Sequence, residues 1–478
     1  MRQRLSLEHR SLQVPSVEMT EQFGVAAAFE LSWQELDEPA KQLGCLLSLF
    51  ALAPIPWSLV GQCLPDLDEE ALEDARDEQL VNLSLLERPG QGTYQLHQLI
   101  RAFFGSKLKE LASVDSLKQG FCQALVAVAQ DIPDTPTLPQ VLKVAPAIPH
   151  LAEVATIQKD WLSNEDLVSP FVGLVRFYEG QGAYEQALPW CKQWLSATRE
   201  RLGEEHPHVA LSLNNLANLY NSQGRYAEAE PLYLQALELR KRLLGSEHPS
   251  VATSLNDLAL LYNSQGRYAE AEPLYLQALE LRKRLLGEEH PHVATSLNNL
   301  AGLYDSQGRY AEAEPLYLQA LELRKRLLGE EHPHVATSLN NLANLYYSQG
   351  RYKEAEPLYL QALELRKRLL GQEHPDVATS LNNLAYLYKS QARYAEAEPL
   401  YLQALELNKR LLGQEHPDVA TSLNNLAGLY KSQGKYAEAE PLYLQALEIA
   451  ERQLGVNHPN TVTIRKNLQS LRDDRTTS

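Results

Sequence analysis

The chain has 478 residues, 44% of them hydrophobic, and a formal net charge of -17. Its length exceeds what one hydrophobic core organises, so several domains or a repeat array are expected. The acidic balance opposes attraction to phosphate backbones, and no run of about 18 apolar residues occurs, which excludes nucleic acid and membrane as first choices of partner.

Residues 1–28 begin MRQRLSLEHRSLQVPS, charged and without the apolar region of a signal peptide, and are read as an N-terminal segment. Residues 31–52 then predict a helix, IPWSLVGQCL a second and EEALEDARDEQLVNLSLLER a third. LLERPGQGTYQLHQL predicts two short strands around a Pro/Gly turn, followed by the apolar helix IRAFFGSKL. Three helices and a hairpin suggest a winged-helix domain over 29–110. Its 14 Asp and Glu against 6 Lys and Arg favour packing or regulation over DNA contact. This segment resembles the winged helix that follows the nucleotide-binding module in signalling NTPases of the NB-ARC (STAND) type. Leu96-His97-Gln98 stands where that family has Met-His-Asp, so the resemblance makes His97 a candidate nucleotide-sensing residue; Gln98 departs from the aspartate. No GxxxxGK[ST] is present, and the nearest stretch, Gly428 to Gly434-Lys435, has one residue too many and ends at Tyr436. The resemblance therefore covers only the part after the nucleotide-binding module. Residues 111–163 are expected to form a helical connector.

Periodicity dominates the rest. His206, His248, His290, His332, His374, His416 and His458 are spaced by 42 residues, each followed by proline, a period that means stacked units unable to bury their apolar faces alone. Within one unit Leu297, Leu300, Ala301 and Tyr304 form the stripe of a first helix, Gly308 interrupts, and Ala313, Tyr317, Ala320 and Leu321 form the stripe of a second. That helix ends at RKRLLG, with basic residues and a glycine suited to its C-terminus. The order of these residues resembles the tetratricopeptide repeat, and the 42-residue unit opening HPxVATSLNNLA resembles the repeat of kinesin light chains and related bacterial arrays. The fold expected is mainly α, a superhelical solenoid of seven repeats over 164–457. Residues 458–478 make a capping helix and tail, with Arg465, Gln469 and Arg472 replacing packing residues.

The copies differ on one face. About 100° per residue sets the packing stripe roughly 130° from a second face, which the resemblance places in a groove. There one position is Asn218, Leu260, Gly302, Asn344, Tyr386 and Gly428 in turn, and another, three residues on, is Asn221, Asn263, Asp305, Tyr347, Lys389 and Lys431. Between them a constant column, Asn214, Asn256, Asn298, Asn340, Asn382 and Asn424, offers amide donors and acceptors suited to a peptide backbone. A second column, Asn215, Asp257, Asn299, Asn341, Asn383 and Asn425, is as well suited to bonds between neighbouring helices. The first column and the side chains at the two variable positions, the glycines aside, are the candidate peptide-binding set.

Other chemistry finds no support. The histidines and carboxylates lack metal spacing, EEHP reads as a helix opening, and Glu312 and Glu314 recur at helix starts facing solvent. Cys45, Cys63, Cys122 and Cys191 read as reduced, buried thiols of a cytoplasmic protein. No catalytic constellation, metal site or cofactor is expected. The sequence reading is a non-enzymatic scaffold with a protein or peptide ligand. The alternatives are the sensor half of a split NB-ARC switch, with a separate NTPase chain as partner, and a kinesin-light-chain-like cargo adaptor.

Overall fold

The computed structural model describes residues 27–65 and 67–477. The segment expected at 1–28 lies outside these, save its last two residues. The chain divides into two compact units, one up to Ala129 together with Val144–Asp166, the other Gln130–Lys143 together with Leu167 onward.

In the first unit, α1 (27–35) leads into α2 (Glu38–Leu47), opened by Asp37, whose carboxylate accepts from the N–H of Ala40. Strand β1 (Ile55–Pro56), α3 (Trp57–Cys63) and α4 (Glu69–Asp74) follow, and α4 runs on into a π-helical stretch, Ala75–Val81. The hairpin β2 (Glu87–Gly90) and β3 (Thr93–Gln95) turns at Gly92, and β1 adds to β3 as a third antiparallel strand. The π-helical Arg76 lies over the rings of Trp57 and Tyr94, at 4.4 and 5.1 Å, and pairs with Asp77, which draws its carboxyl below the ordinary range. Helix α5 (Gln98–Leu108) sends Phe104 onto Gly44 of α2, where a side chain would collide with the ring. Helices α6 (Val114–Asp131) and α8 (Ile148–Thr156) complete the unit, with Phe50 between Phe121 and His150.

The second unit contains α7 (Leu138–Val144) and a run of helix pairs. The first pair is α9 (Ser169–Glu179) and α10 (Tyr184–Leu202). Six further pairs are near copies: α11 and α12 (Pro207–Ser222, Tyr226–Leu244), α13 and α14 (Pro249–Ser264, Tyr268–Leu286), α15 and α16 (Pro291–Ser306, Tyr310–Leu328), α17 and α18 (Pro333–Ser348, Tyr352–Leu370), α19 and α20 (Pro375–Ser390, Tyr394–Leu412), and α21 and α22 (Pro417–Ser432, Tyr436–Leu454). The last helix, α23 (Pro459–Thr477), stands alone.

The local code repeats with the period. Each first helix of the six copies has histidine as N-cap, its Nδ1 accepting from the backbone N–H two residues on, at 3.1 Å for His290, and proline at the first helical position. The periodic histidines are therefore helix caps, and among the described residues no group of three or more His, Cys, Asp or Glu could hold a metal ion. Each first helix ends in a left-handed residue, with the N–H beyond it returning to the carbonyl five residues back, as from Arg309 to Tyr304 at 2.8 Å.

The predicted stripes bury a continuous core, mostly of Leu, Ala, Val and Tyr, from Val175 of α9 to Ile464 of α23. Polar ties cross each joint. Arg324 of α16, buried, donates to Ser338 Oγ at 2.7 Å and to the His334 carbonyl, and in the next repeat but one Asn408 replaces the arginine and bonds Ser422. Glu312 faces solvent as expected and pairs there with Arg309, whereas Glu314, expected to do the same, is half-buried and accepts from Tyr346 at 3.0 Å and Arg351 at 2.8 Å of the following repeat. Arg351 also lies over the Tyr346 ring at 4.0 Å.

The array also touches itself far along the chain. A Cβ on Gly182 would lie 2.2 Å from Pro417 Cδ, and one on Gly224 would lie 2.8 Å from Pro459 Cδ. His458 Nε2 donates to the Ser222 carbonyl at 3.2 Å. After about five and a half repeats the superhelix has returned to its beginning, and the turns of early repeats meet the openings of late helices.

Candidate functional site

The constant asparagines form a ladder between repeats. Asn256 Oδ1 accepts from Asn299 Nδ2 at 2.9 Å, Asn298 from Asn341 at 3.0 Å, Asn340 from Asn383 at 2.9 Å and Asn424 from Asn467 at 2.9 Å. At the first step Asp257 substitutes and accepts from Asn214 at 3.1 Å. Asn214, Asn256 and Asn340 are buried, and Asn298, Asn382 and Asn424 half-buried. The carbonyls that were expected to meet a peptide backbone are thus spent on the next repeat at four steps. The ladder breaks between Asn382 and Asn425: Asn382 Oδ1 is buried without a partner, and Asn425 Oδ1 accepts from Asn424 instead.

The variable positions sit beside the ladder and meet a constant tyrosine of the second helix, 15 residues on. Where the position is asparagine the tyrosine hydroxyl donates to it, Tyr233 to Asn218 and Tyr359 to Asn344, both at 2.6 Å. Where it is glycine space opens in front of the hydroxyl: a Cβ on Gly302 or Gly428 would stand 3.4 Å from the oxygen of Tyr317 or Tyr443. Opposite Tyr386, the Tyr401 hydroxyl is fully buried and has no partner among the described residues. The sequence marked these tyrosines only as packing residues; their 15-residue offset from the variable letter was the available signal.

The neighbouring variable position changes character along the array. Asn221 and Asn263 are half-buried, each with a buried Oδ1 that lacks a partner. Burial holds the Asp305 carboxyl above its ordinary range, against the opposing effect of Ser348. Tyr347 packs on Tyr386 with ring centres 5.1 Å apart and shares a 2.7 Å hydrogen bond with Ser390. Lys389 and Lys431 follow. At the variable positions Leu260 and Tyr386 are exposed large side chains.

Four of the candidate residues, Tyr386, Lys389, Asn424 and Lys431, come together around a cavity of about 590 Å³, with Tyr401, Asn425, Gly428, Ser432, Tyr443, Asn467 and Asp474 completing its wall. Lys431 is neutralised by Asp474 of α23 at 3.0 Å and bonded to Ser470 at 2.6 Å. His97 lies elsewhere, in the first unit, exposed, as the N-cap of α5, its Nδ1 accepting from Leu99 at 3.3 Å. All four cysteines are free and buried, and burial pushes the thiols of Cys45 and Cys122 up to about 12, which keeps them protonated and unreactive. Among the described residues no helix is long and apolar enough to cross a membrane.

The array matches the tetratricopeptide repeat family model at residues 166–242, 209–284, 250–326, 293–368, 334–410, 376–452 and 418–468. No curated protein matches the chain. Among solved structures, BtubC (BKLC) from P. vanneervenii is 30% identical over 47% of this chain and 91% of its own, with a TM-score of 0.41. A putative kinesin light chain from Podospora anserina with nearly identical TPR-like repeats is 32% identical over 43% and 98%, at 0.37. A signal transduction ATPase with numerous domains (STAND) and a tetratricopeptide repeat sensor, from Pyrococcus horikoshii, is 16% identical over 97% of this chain and 62% of its own, at 0.52. The helix pairs, their period and the family model together span most of the sequence, and the chain belongs to the tetratricopeptide repeat family, a protein-interaction scaffold.

Proposed function

We propose that this scaffold is non-enzymatic and captures a protein or peptide on the face formed by its first helices, with the variable positions setting which ligand is held. The observation that carries this reading is the confinement of divergence. Residues that pack or tie repeats together are copied almost letter for letter, whereas Asn221, Asn263, Asp305, Tyr347, Lys389 and Lys431 run from amide to acid to aromatic to base along one face. Drift on a solvated surface would also vary, but the paired rings of Tyr347 and Tyr386 and the cavity beside them are features a ligand can use. The test is affinity capture with the intact chain, its Tyr347→Ala/Tyr386→Ala variant, and a control at an exposed leucine of the second helices, Leu318→Ser. Partners retained by wild type and the control but lost from the double variant support the reading. Equal capture by all three places recognition elsewhere.

A second reading makes the chain the sensor half of an NB-ARC-type switch whose NTPase is a separate chain, with residues 29–110 as the winged helix. The order of helices and hairpin in the first unit favours it, and the STAND likeness, which speaks for fold alone, extends over nearly the whole chain. ATP-dependent co-purification of a P-loop protein with the intact chain would support it, and its absence would leave the plain scaffold. A cargo adaptor of the kinesin-light-chain type is the same capture with a motor as the second partner.

A further inference from the structure

We propose that the seam where the superhelix returns on itself is a latch, held shut by His416 and His458 in their neutral form and released when they take up protons. This goes beyond ligand capture and does not rest on it.

The seam reshapes what it touches, and the repeats supply their own control. Residues 413–419 and 371–377 have the same sequence, GQEHPDV. Yet His416 is buried at φ -73°, whereas His374 is half-buried at φ -139°, and the caps of the four earlier copies lie between -121° and -141°. Pro417 is buried as well, while Pro207, Pro249, Pro291, Pro333 and Pro375 are half-buried or exposed. Identical letters in different shapes point to the facing turn as the cause. The ring carbon Cδ2 of His416 would lie 3.5 Å from a Cβ on Gly182, and that of His458 would lie 3.3 Å from one on Gly224. At Gly266, Gly308 and Gly350 a Cβ meets nothing within 4 Å. The N–H of His416 also turns back to the Gly413 carbonyl at 3.3 Å, and that of His458 to the Gly455 carbonyl at 3.4 Å.

Both rings do their work unprotonated. Nδ1 of His416 accepts from the N–H of Asp418, and Nδ1 of His458 from that of Asn460, each at 3.1 Å. A proton on Nδ1 removes the acceptor and sets a charge at the positive end of a helix. A cap away from the seam can answer by swinging its ring into water. At the seam the ring edge stands against the opposite turn, and His458 Nε2 is also tied to the Ser222 carbonyl at 3.2 Å, so the ring comes free only when the seam parts. Burial lowers the proton affinity of both histidines, opposed at His416 by Asp418, 3.8 Å away on its own helix, and at His458 by the bond to Ser222. The closed seam is therefore favoured above the ordinary histidine range and loses ground as pH falls below about 6.5.

Other charges border the two rings. Across from His416, α10 brings Tyr184, pushed up to about 12 by burial and the charges of Asp418 and Glu179. Helix α9 brings Glu179 itself, raised to about 7 by burial against the pull of Arg176, and in the loop before His416 Glu415 is paired with Arg452. Around His458, Arg225 of the turn pairs with Glu228, Arg465 of α23 pairs with Glu451, and Glu185 of α10 accepts from Gln223. Glu179 gains its proton in the same range as the histidines, and a neutral buried carboxyl opposes release, so its contribution has to be separated.

Hydrogen exchange of the intact chain, read by mass spectrometry, tests the latch. A fragment reaching back from 413–419 to Asn408 differs in mass from one reaching back from 371–377 to Arg366, while their loops are identical, so the ratio of the two cancels the intrinsic effect of pH. At pH 7.5 the 413–419 loop should exchange at least about tenfold more slowly than its sister, and at pH 5 the two should match with helical circular dichroism unchanged. Gly182→Ala combined with Gly224→Ala forces the seam apart and should give matching loops at both pH values. His416→Asn combined with His458→Asn keeps the caps without a titrating ring, so its ratio should be the same at both pH values, whether the seam stays shut or not. Glu179→Gln should keep the wild-type response. Matching loops in wild type at pH 7.5, a difference that survives at pH 5, or helicity lost together with it overturns the proposal. So does a wild-type response in the double histidine variant, or its disappearance in Glu179→Gln.

Discussion

Ala392 occupies the turn position held by Gly224, Gly266, Gly308, Gly350 and Gly434, and adopts the same left-handed backbone, φ 59° against 68° to 75° for the glycines. A Cβ in that region costs roughly 1–2 kcal/mol, while glycine gives back about 0.5–1 kcal/mol through the freedom it gains on unfolding. Ala392→Gly should therefore stabilise the array by about 0.5–1 kcal/mol. Gly308→Ala should cost a similar amount and no more, because a Cβ there meets nothing within 4 Å. Gly224→Ala should cost clearly more, since its Cβ presses on Pro459 and disturbs the bond from His458 to Ser222. Urea denaturation followed by helical circular dichroism reads the series, with the intact chain as common background because arrays need not unfold in two states. With a slope near 3 kcal/mol per M, the Ala392→Gly midpoint rises by about 0.2–0.3 M. An unchanged or lowered midpoint for Ala392→Gly would refute the strain argument. Equal losses for Gly224→Ala and Gly308→Ala would refute the long-range contact.

Three further outcomes are expected. Asn383→Ala strands the carbonyl of buried Asn340 and should cost about 1–3 kcal/mol, whereas Asn425→Ala, at the broken step, should cost far less; equal midpoints in urea would show that the ladder carries no stability. His150, held neutral by burial with its pKa near 4, accepts from the N–H of Ala51 and donates to the Pro54 carbonyl. Between pH 6.5 and 4 the unfolded chain takes up a proton that the folded unit refuses, so stability falls with pH by about 3 kcal/mol, and tryptophan fluorescence melts of wild type and His150→Asn should differ in slope over that window. Calorimetry with magnesium-ATP should give no saturable heat, because the chain lacks a phosphate-cradling loop, and micromolar binding would contradict this.

The period, the helix pairs and their packing stripes were legible because six near-identical copies separate what packing holds constant from what it leaves free. The turn between the two helices was legible only as a glycine interruption; that its backbone is left-handed, at Ala392 as at the glycines, is visible only in the structure. Partners across repeats were not legible. A helical wheel sets Asn298 apart from Leu297 and Leu300, but cannot show that Asn341 of the next first helix lies against that flank. Glu314 looked solvated for the same reason, its partners Tyr346 and Arg351 being 32 and 37 residues on. The histidines were read as part of an acidic, proline-marked helix opening, while the ring itself makes the capping bond. In the first unit the third strand, two residues long, was too short to leave an alternating pattern.

A solenoid is ordinarily one-dimensional, its stability a sum over repeats and nearest-neighbour interfaces. The contacts of Gly182 with Pro417 and of Gly224 with Pro459 add a term between the ends, and that term constrains the middle. Small errors in the step from one repeat to the next accumulate over about five and a half repeats, so the seam closes only if every step is nearly the same. The asparagine ladder, the buried arginine to serine bonds and the arginine clamps supply most of that sameness, with the ladder broken between Asn382 and Asn425 and Asn408 in place of one arginine. On the proposed reading of the first-helix face as the ligand surface, discrimination falls to the side chains there that bear least on the step from one repeat to the next. Tyr347 shows how narrow that freedom is: its ring reaches Tyr386 and its hydroxyl Ser390, both in the following repeat, so even a residue proposed to meet a ligand is braced by its neighbour.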